Sequence, residues 1–272
     1  MNNGRGFWQP DELELAEAFL ADGYLIRPVE SREDLDRIRD LIAAIAASYL
    51  KLPEPESKGD FLGRIQEKVD AARLNDLRLT VIREMNEESW LRPSYFRLAR
   101  RALEILVGNE LVMQRRVNLS IQLPGDDSSL LPIHADVWAG DSPYEIVLWV
   151  PYVDVRATKS MFILPRAKNS RHQARMSEQN VGSADGLFRL VEADLAWPKM
   201  PYGHVLLFTQ NLMHGNVVNR ERDTRWSSNC RFKSLFSPYC DKKLGEFFEP
   251  ILIRPATQIG AGYRFPAIGR RS

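Results

Sequence analysis

The spacing of hydrophobic positions changes character partway along the chain. Up to about residue 110, apolar residues recur at helical intervals; beyond it they gather in short runs separated by Pro, Gly, Asp and Asn. In the first part, Leu13, Leu15, Ala16, Phe19 and Leu20 share one face of a helix expected over Asp11 to Leu20. The segment Gly23-Tyr-Leu-Ile-Arg-Pro-Val29 reads as a short strand. Ser31 followed by Asp34 marks a helix start. Its apolar stripe of Leu35, Ile38, Ile42, Ile45 and Leu50 runs to the break at Pro53 and Pro55. Two further amphipathic helices are expected over Arg64 to Glu88 and Pro93 to Val107, with Gly108 near the second stop.

The second part reads as β-structure. Runs with strand character occur at Met113 to Leu123, Tyr144 to Val153, Ser160 to Leu164, Leu187 to Val191, His204 to Phe208 and Thr224 to Phe236. Several short strands with turn signals between them predict a sandwich or barrel, with the helical half on one outer face. The class is therefore α+β, mainly β. No repeat or linker interrupts the chain, so 1–272 reads as one domain: 1–110 helical support, 111–240 the β core, and 241–272 a C-terminal extension.

Composition narrows this picture only a little. A chain of 272 residues, 44% hydrophobic and 27% charged, buries a substantial core without disulfides. The net charge of +1 gives no bulk attraction to nucleic acid or acidic membranes. Cys230 and Cys240 lack metal-site spacing. The stretch Met1 to Pro10 lacks an apolar signal core, and no run approaches the roughly 18 apolar residues of a membrane span. These features point to a cytoplasmic protein with a small-molecule partner; they carry no information on oligomeric state.

Candidate chemistry begins with the histidines, of which there are only His134, His172, His204 and His214. In Ile133-His-Ala-Asp-Val137, residues i and i+2 of an extended segment point to one face, so the His134 imidazole and the Asp136 carboxylate converge. His-x-Asp by itself is unspecific. It gains meaning from His214, which follows the buried run at His204 to Phe208, and from Arg225-Trp-Ser227 further on. Two imidazoles and a carboxylate on one face of a metal leave three positions open. A 2-oxo acid chelating two of these needs a rigid cation for its far carboxylate. An arginine fork with a hydroxyl two residues along the same strand face supplies one. His172, in a basic segment, and His204, at a strand start, read as structural.

The pattern His134-x-Asp136, His214, Arg225-x-Ser227 resembles the iron(II)/2-oxoglutarate-dependent oxygenase superfamily, and its phytanoyl-CoA dioxygenase-like branch in particular. The early Gly23-Tyr-Leu25 segment and the Met161-Phe-Ile-Leu-Pro165 strand between the metal histidines fit that branch, and the tone is that of its members in carbohydrate and aminoglycoside biosynthesis. The resemblance implies a double-stranded β-helix (jelly-roll, cupin-like) core and Fe(II), 2-oxoglutarate and O2 as cofactors and co-substrate. It implies metal ligation by His134, Asp136 and His214, and 2-oxoglutarate binding by Arg225 and Ser227, with Asn118 and Gln122 as polar candidates for the C1 side. The reaction would be hydroxylation, desaturation or ring closure of a small metabolite such as a sugar or cyclitol. Asp136 argues against halogenation, which needs a small residue at that position.

One departure stands out. Where the branch continues Pro-Gly-Ser-His, this chain has Pro165-Arg-Ala-Lys-Asn-Ser-Arg-His172; Arg166, Lys168 or Arg171 could meet an anionic substrate group, or form a solvated basic loop. Trp138, Tyr144, Trp149 and Tyr152 follow the His-x-Asp motif, and one or two of them are expected to face the cavity, with Trp138 and Trp149 foremost. Three alternatives remain open at this level: a cupin-type metal-dependent sugar isomerase, a zinc hydrolase with Glu145 as base, and a noncatalytic jelly-roll that binds carbohydrate.

Overall fold

A computed structural model describes residues 4–176 and 183–266. In chain order the elements are α1 (Pro10–Asp22), β1 (Tyr24–Pro28), α2 (Arg32–Tyr49), α3 (Lys58–Gly63), α4 (Ala71–Glu87), α5 (Leu91–Arg97) and α6 (Arg100–Val107). Then come β2 (Leu111–Gln114), β3 (Asn118–Gln122), β4 (Ile146–Pro151), β5 (Phe162–Ile163), α7 (Arg166–Arg175) and α8 (Ala184–Val191). The chain continues with β6 (His204–Thr209), β7 (His214–Gly215), β8 (Arg225–Ser234), β9 (Phe248–Leu252) and α9 (Pro255–Gly262). Helix starts follow ordinary capping chemistry: the Ser31 hydroxyl accepts from the Asp34 N–H, and the Asp70 carboxylate from the Arg73 N–H. Gly23 ends α1 in the left-handed conformation, φ +77°, that a side chain would disfavour.

The strands form two layers. In the larger sheet the antiparallel order is β1, β6, β4, β8; the first half of β8 then pairs with β3 and its second half with β2, which carries β9 at the edge. The smaller layer is built on β5 and β7, extended by single bridges from His134 to His214 and from Ile163 to Ala196. Gly215 is needed there, because a Cβ would come within 2.7 Å of the Leu131 carbonyl oxygen and the Phe162 ring. This is the double-stranded β-helix expected from the sequence.

Each face of the large sheet has its own cover. Ile146, Leu148, Val150, Trp226 and Phe232 point outward onto Leu35, Ile38, Ile42, Leu77, Val81 and Tyr95 of the helical half, forming the main core. Alternate residues of the same strands, Val147, Trp149, Leu206 and Phe208, point inward to meet Met161, Ile163 and Leu212 of the smaller layer. A third cluster, around Phe162, Leu187 and Val191, covers the outside of that layer.

Several expected elements differ in form. Leu187 to Val191 is part of helix α8, not a strand: Ser183 caps it by accepting from the Gly186 N–H, and a short apolar run reads alike in either conformation. The basic segment from Arg166 to His172 is helix α7, not a loop. The helix expected over Arg64 to Glu88 starts afresh at Asp70, and that over Pro93 to Val107 breaks into α5 and α6. Met113 to Leu123 is two strands separated at residues 115–117. The segment expected as a C-terminal extension contributes the edge strand β9; its last residues, 267–272, lie outside the described residues. No helix among the described residues is long and apolar enough to cross a membrane.

A buried hydroxyl chain ties the helices to the sheet: Tyr95 donates to the Leu148 carbonyl at 2.9 Å and receives from Ser228, whose hydroxyl also meets that of Tyr152 at 2.7 Å. Removing one member strands its partners in a dry core. Tyr95→Phe is expected to lower the unfolding free energy by about 1–3 kcal/mol, measurable by urea denaturation.

Candidate metal centre and the polar interior behind it

His134 and His214 lie side by side because the backbones carrying them exchange two hydrogen bonds, His134 N–H to His214 O at 3.0 Å and His214 N–H to His134 O at 2.8 Å. Their rings are 4.4 Å apart, centroid to centroid. Asp136 opens the short helical turn that follows His134, and its Oδ1 stands 3.3 Å from His134 Nε2 and 3.8 Å from His214 Nε2. All three ligand atoms fall within 4.8 Å of one another. Among the described residues no other group of His, Cys, Asp and Glu converges in this way.

The tautomers are set by backbone carbonyls. His134 Nδ1 lies 2.7 Å from Pro132 O, and His214 Nδ1 lies 2.9 Å from Leu212 O. Each Nδ1 therefore carries the proton and each Nε2 offers its lone pair to the shared space. Burial pushes His214 down to about 4, and the Phe208 ring packs edge-on against it at 4.9 Å. The hydrogen bond to Asp136 raises His134 above the ordinary histidine value despite its partial burial. Burial would raise the Asp136 carboxyl, but His134, His214 and Arg231 together overcome it and keep the group ionised.

Behind the triad lies the inward face of β8, where Arg225, Ser227, Asn229, Arg231 and Lys233 alternate with the outward residues Trp226, Ser228, Cys230 and Phe232. Arg231 shows that this face looks toward the triad: its Nη2 donates to Asp136 Oδ2 at 3.0 Å. The neighbouring β3 sets Gln122 opposite Arg225, Ser120 opposite Ser227 and Asn118 opposite Asn229. Arg225 is fully buried, and burial alone pushes it down to about 10, so it remains a cation at neutral pH. Its Nη2 donates to Ser120 Oγ at 3.1 Å, yet its Nε has no partner. Ser227 Oγ and Gln122 Oε1 are likewise buried and unpartnered, and among the described residues no carboxylate forms an ion pair with Arg225. An unpaired buried guanidinium is costly, and with the unpartnered Ser227 hydroxyl it defines a seat for an anion, whereas the free Gln122 atom is an acceptor whose amide N–H already donates to the Val217 carbonyl.

The other sequence candidates are placed as follows. Trp149 is buried on the inward face, opposite Asn229. Trp138 is 46% exposed on the turn after Asp136, and Tyr144 is exposed too, whereas Tyr152 belongs to the outward core. The Arg166 guanidinium donates to the Leu20 carbonyl at the end of α1. Lys168 and His172 both meet Asp194. His204 lies at the start of β6, paired with Pro28. Both oxygens of Glu145 are engaged, by the Ser142 N–H and by Gln210. Sequence reasoning passed over Ser120, Asn229 and Arg231. The signal was present in the polar–apolar alternation of Arg225 to Lys233, which gives a polar face where a jelly roll turns inward.

The fold is that of structurally characterised non-haem oxygenases. The nickel complex of the non-heme monooxygenase ThoJ superposes with a TM-score of 0.53 at 17% identity, over 88% of this chain and 83% of that one. EctD from S. alaskensis, solved with 2-oxoglutarate and 5-hydroxyectoine, gives 0.58 at 17% identity over 85% and 80%. Its form with bound Fe gives 0.55 at 16% identity over 85% and 81%. By sequence, the chain matches no family model and no curated protein.

The geometry predicts how metal affinity responds to pH. Protons compete with metal for Nε2, and His134, whose ionisation is raised, is the first to be taken as pH falls. His214 stays neutral until far more acid conditions. Divalent-metal affinity is therefore expected to decline as pH falls, by about tenfold per pH unit below the His134 midpoint, which lies above the ordinary histidine value. Anaerobic titrations between about pH 8 and pH 6 measure this; a flat profile would mean that His134 is not a ligand.

Proposed function

We propose that the protein is a non-haem iron(II)- and 2-oxoglutarate-dependent oxygenase of the phytanoyl-CoA dioxygenase-like type, acting on a small polar metabolite. The observation that carries this reading is the pairing of a His-Asp-His triad with a buried arginine, without an ion-pair partner among the described residues, on the face of β8 from which Arg231 reaches Asp136. A triad alone suits many metal enzymes. A cupin isomerase or a zinc hydrolase has no use for an anion seat behind the metal, and Glu145, the base a hydrolase would require, has both oxygens occupied.

In this reading His134, Asp136 and His214 hold the iron, each through one atom. Arg225 Nε and Ser227 Oγ, two buried donors on this face that lack acceptors, take the C5 carboxylate of 2-oxoglutarate. The register divides the polar residues of β3 between the ends of the co-substrate. Gln122, opposite Arg225, belongs to the C5 end; Asn118, opposite Asn229 and nearer Arg231, belongs to the C1 end. When bound, iron with 2-oxoglutarate and O2 supplies an oxidant able to attack an unactivated C–H bond, yielding succinate and CO2. The apolar inward residues Val147, Leu206 and Phe208 keep water from the reacting space. EctD and ThoJ, which share the fold, were solved with iron or nickel, and EctD with 2-oxoglutarate.

The substrate's seat is best read as the cleft of about 920 Å³ between α4, the β2–β3 turn and residues 246–247, a size suited to a metabolite. Gln114, Asn118, Arg83, Arg116 and Glu87 are among the residues that line it. This mixed lining fits a hydroxyl-rich molecule such as a sugar or cyclitol. Trp138, exposed beside Asp136, and Trp149 are the aromatic candidates for contact; Arg166, engaged with α1, is the weaker one. The free thiols of Cys230 and Cys240 suit a reducing cytoplasm.

Conversion of 2-oxoglutarate to succinate, followed in the presence of iron(II) and O2, tests the assignment. His134→Ala and Asp136→Ala are expected to abolish metal binding and turnover. Arg225→Ala is expected to keep the metal and raise the 2-oxoglutarate concentration needed by about ten- to a hundredfold. Full turnover by Asp136→Ala would contradict the triad.

A further inference from the structure

Asp136 uses its two oxygens differently. Oδ1 points at the two histidine nitrogens, whereas Oδ2 accepts from Arg231 Nη2 at 3.0 Å. Both side chains are almost buried, so water does not compete for either oxygen. Arg231 is itself held rigidly. Its Nε donates to Gln210 Oε1 at 3.1 Å and lies 3.3 Å from Asp141 Oδ1, its Nη1 reaches Gln114 Oε1 at 3.4 Å, and its guanidinium stands over the Phe247 ring. Gln210 is fixed in turn by Glu145. The backbone of Arg231 sits on β8 opposite Val147 of β4, in the middle of the large sheet, whereas Asp136 sits on a turn. A sheet-mounted fork thus grips a turn-mounted carboxylate.

We infer that Arg231 is a positioning residue that holds Asp136 to single-oxygen ligation, keeping free the coordination positions that a chelating 2-oxo acid needs. The inference rests on the oxygenase reading and deepens it. A carboxylate with both oxygens unengaged can close onto a metal through both, which removes one open position of a facial triad. Occupying Oδ2 with a planar, charged donor prevents this and sets the direction of Oδ1. Lysine could supply the charge but not the simultaneous contacts to Asp136, Gln210 and Gln114. The same residue links the two ligand-bearing segments, since Gln210 lies in the turn leading to His214 and Asp136 follows His134. Two of its contacts, Gln114 and Phe247, also line the cleft read as the substrate's seat.

The test is Co(II) bound anaerobically to wild type, Arg231→Gln and Arg231→Lys, read first by its visible spectrum with no 2-oxo acid present, then during titration with 2-oxoglutarate. Arg231→Gln is expected to retain Co(II) but to show a changed ligand-field spectrum, reporting altered coordination, and to weaken 2-oxoglutarate binding by about tenfold or more. Arg231→Lys is expected to shift both readings part of the way, and carries the test if the glutamine variant does not fold. Wild-type spectra and wild-type 2-oxoglutarate affinity in the folded variants would overturn the proposal. So would a loss of thermal stability with both readings unchanged, which marks a purely structural ion pair. An altered 2-oxoglutarate affinity with an unaltered Co(II) spectrum would also overturn it, since Arg231 would then act on the co-substrate and not on Asp136. Wild-type protein that binds Co(II) but never 2-oxoglutarate would instead sink the oxygenase reading.

Discussion

Strand β8 must satisfy two environments at once, and the alternation of side chains across its pleat is the constraint on which the site depends. Trp226, Cys230 and Phe232 face the helices and join the main core. Arg225, Ser227, Asn229 and Arg231 face the opposite way, into a space closed by the smaller layer. A one-residue slip of register would exchange the two sets, burying two guanidiniums among leucines and turning the tryptophan into the polar interior. Pairing on both sides, with β4 along one edge and β3 and β2 along the other, prevents that slip. The helical half therefore contributes to chemistry indirectly, by giving the apolar set somewhere to go.

The His-Asp-His cluster is assembled by a second constraint, the pairing of the backbones at His134 and His214 in the smaller layer. Those two hydrogen bonds place the imidazoles before any metal arrives, and the carbonyls of Pro132 and Leu212 orient them. Asp136 is then held from the other layer by Arg231. The site is thus clamped between the two sheets, one supplying ligands and the other supplying charge. Its electrostatics are consistent with that division: a buried carboxylate kept ionised, a buried histidine kept neutral, and farther in a cation without a counter-ion among the described residues.

Much of this was legible in the residues. The period-3.6 stripe from Leu35 to Ile45 and the Ser31 cap located α2 closely, and the His-x-Asp spacing with His214 named the triad because pleat geometry makes i and i+2 converge. The signals that failed did so for physical reasons. Leu187 to Val191 is too short for its period to separate helix from strand, and the outcome was decided by the Ser183 cap and by packing on Phe162. The basic stretch after Pro165 became a helix whose charges are taken up by Leu20 and Asp194, partners remote in sequence. Arg231 carried no motif that would single it out in the sequence. Its contact with Asp136 spans a large sequence separation, and only the fold brings the two together.

The central claim is that the space between the triad and Arg225 is shaped for 2-oxoglutarate chelating a metal. The most direct measurement is visible absorbance of the wild-type protein, loaded anaerobically with iron(II) and then titrated with 2-oxoglutarate. A weak metal-to-ketoacid charge-transfer band that saturates at one equivalent is the expected result. Iron binding with no such band, and no 2-oxoglutarate binding by calorimetry, would contradict the account and leave the triad to a different chemistry.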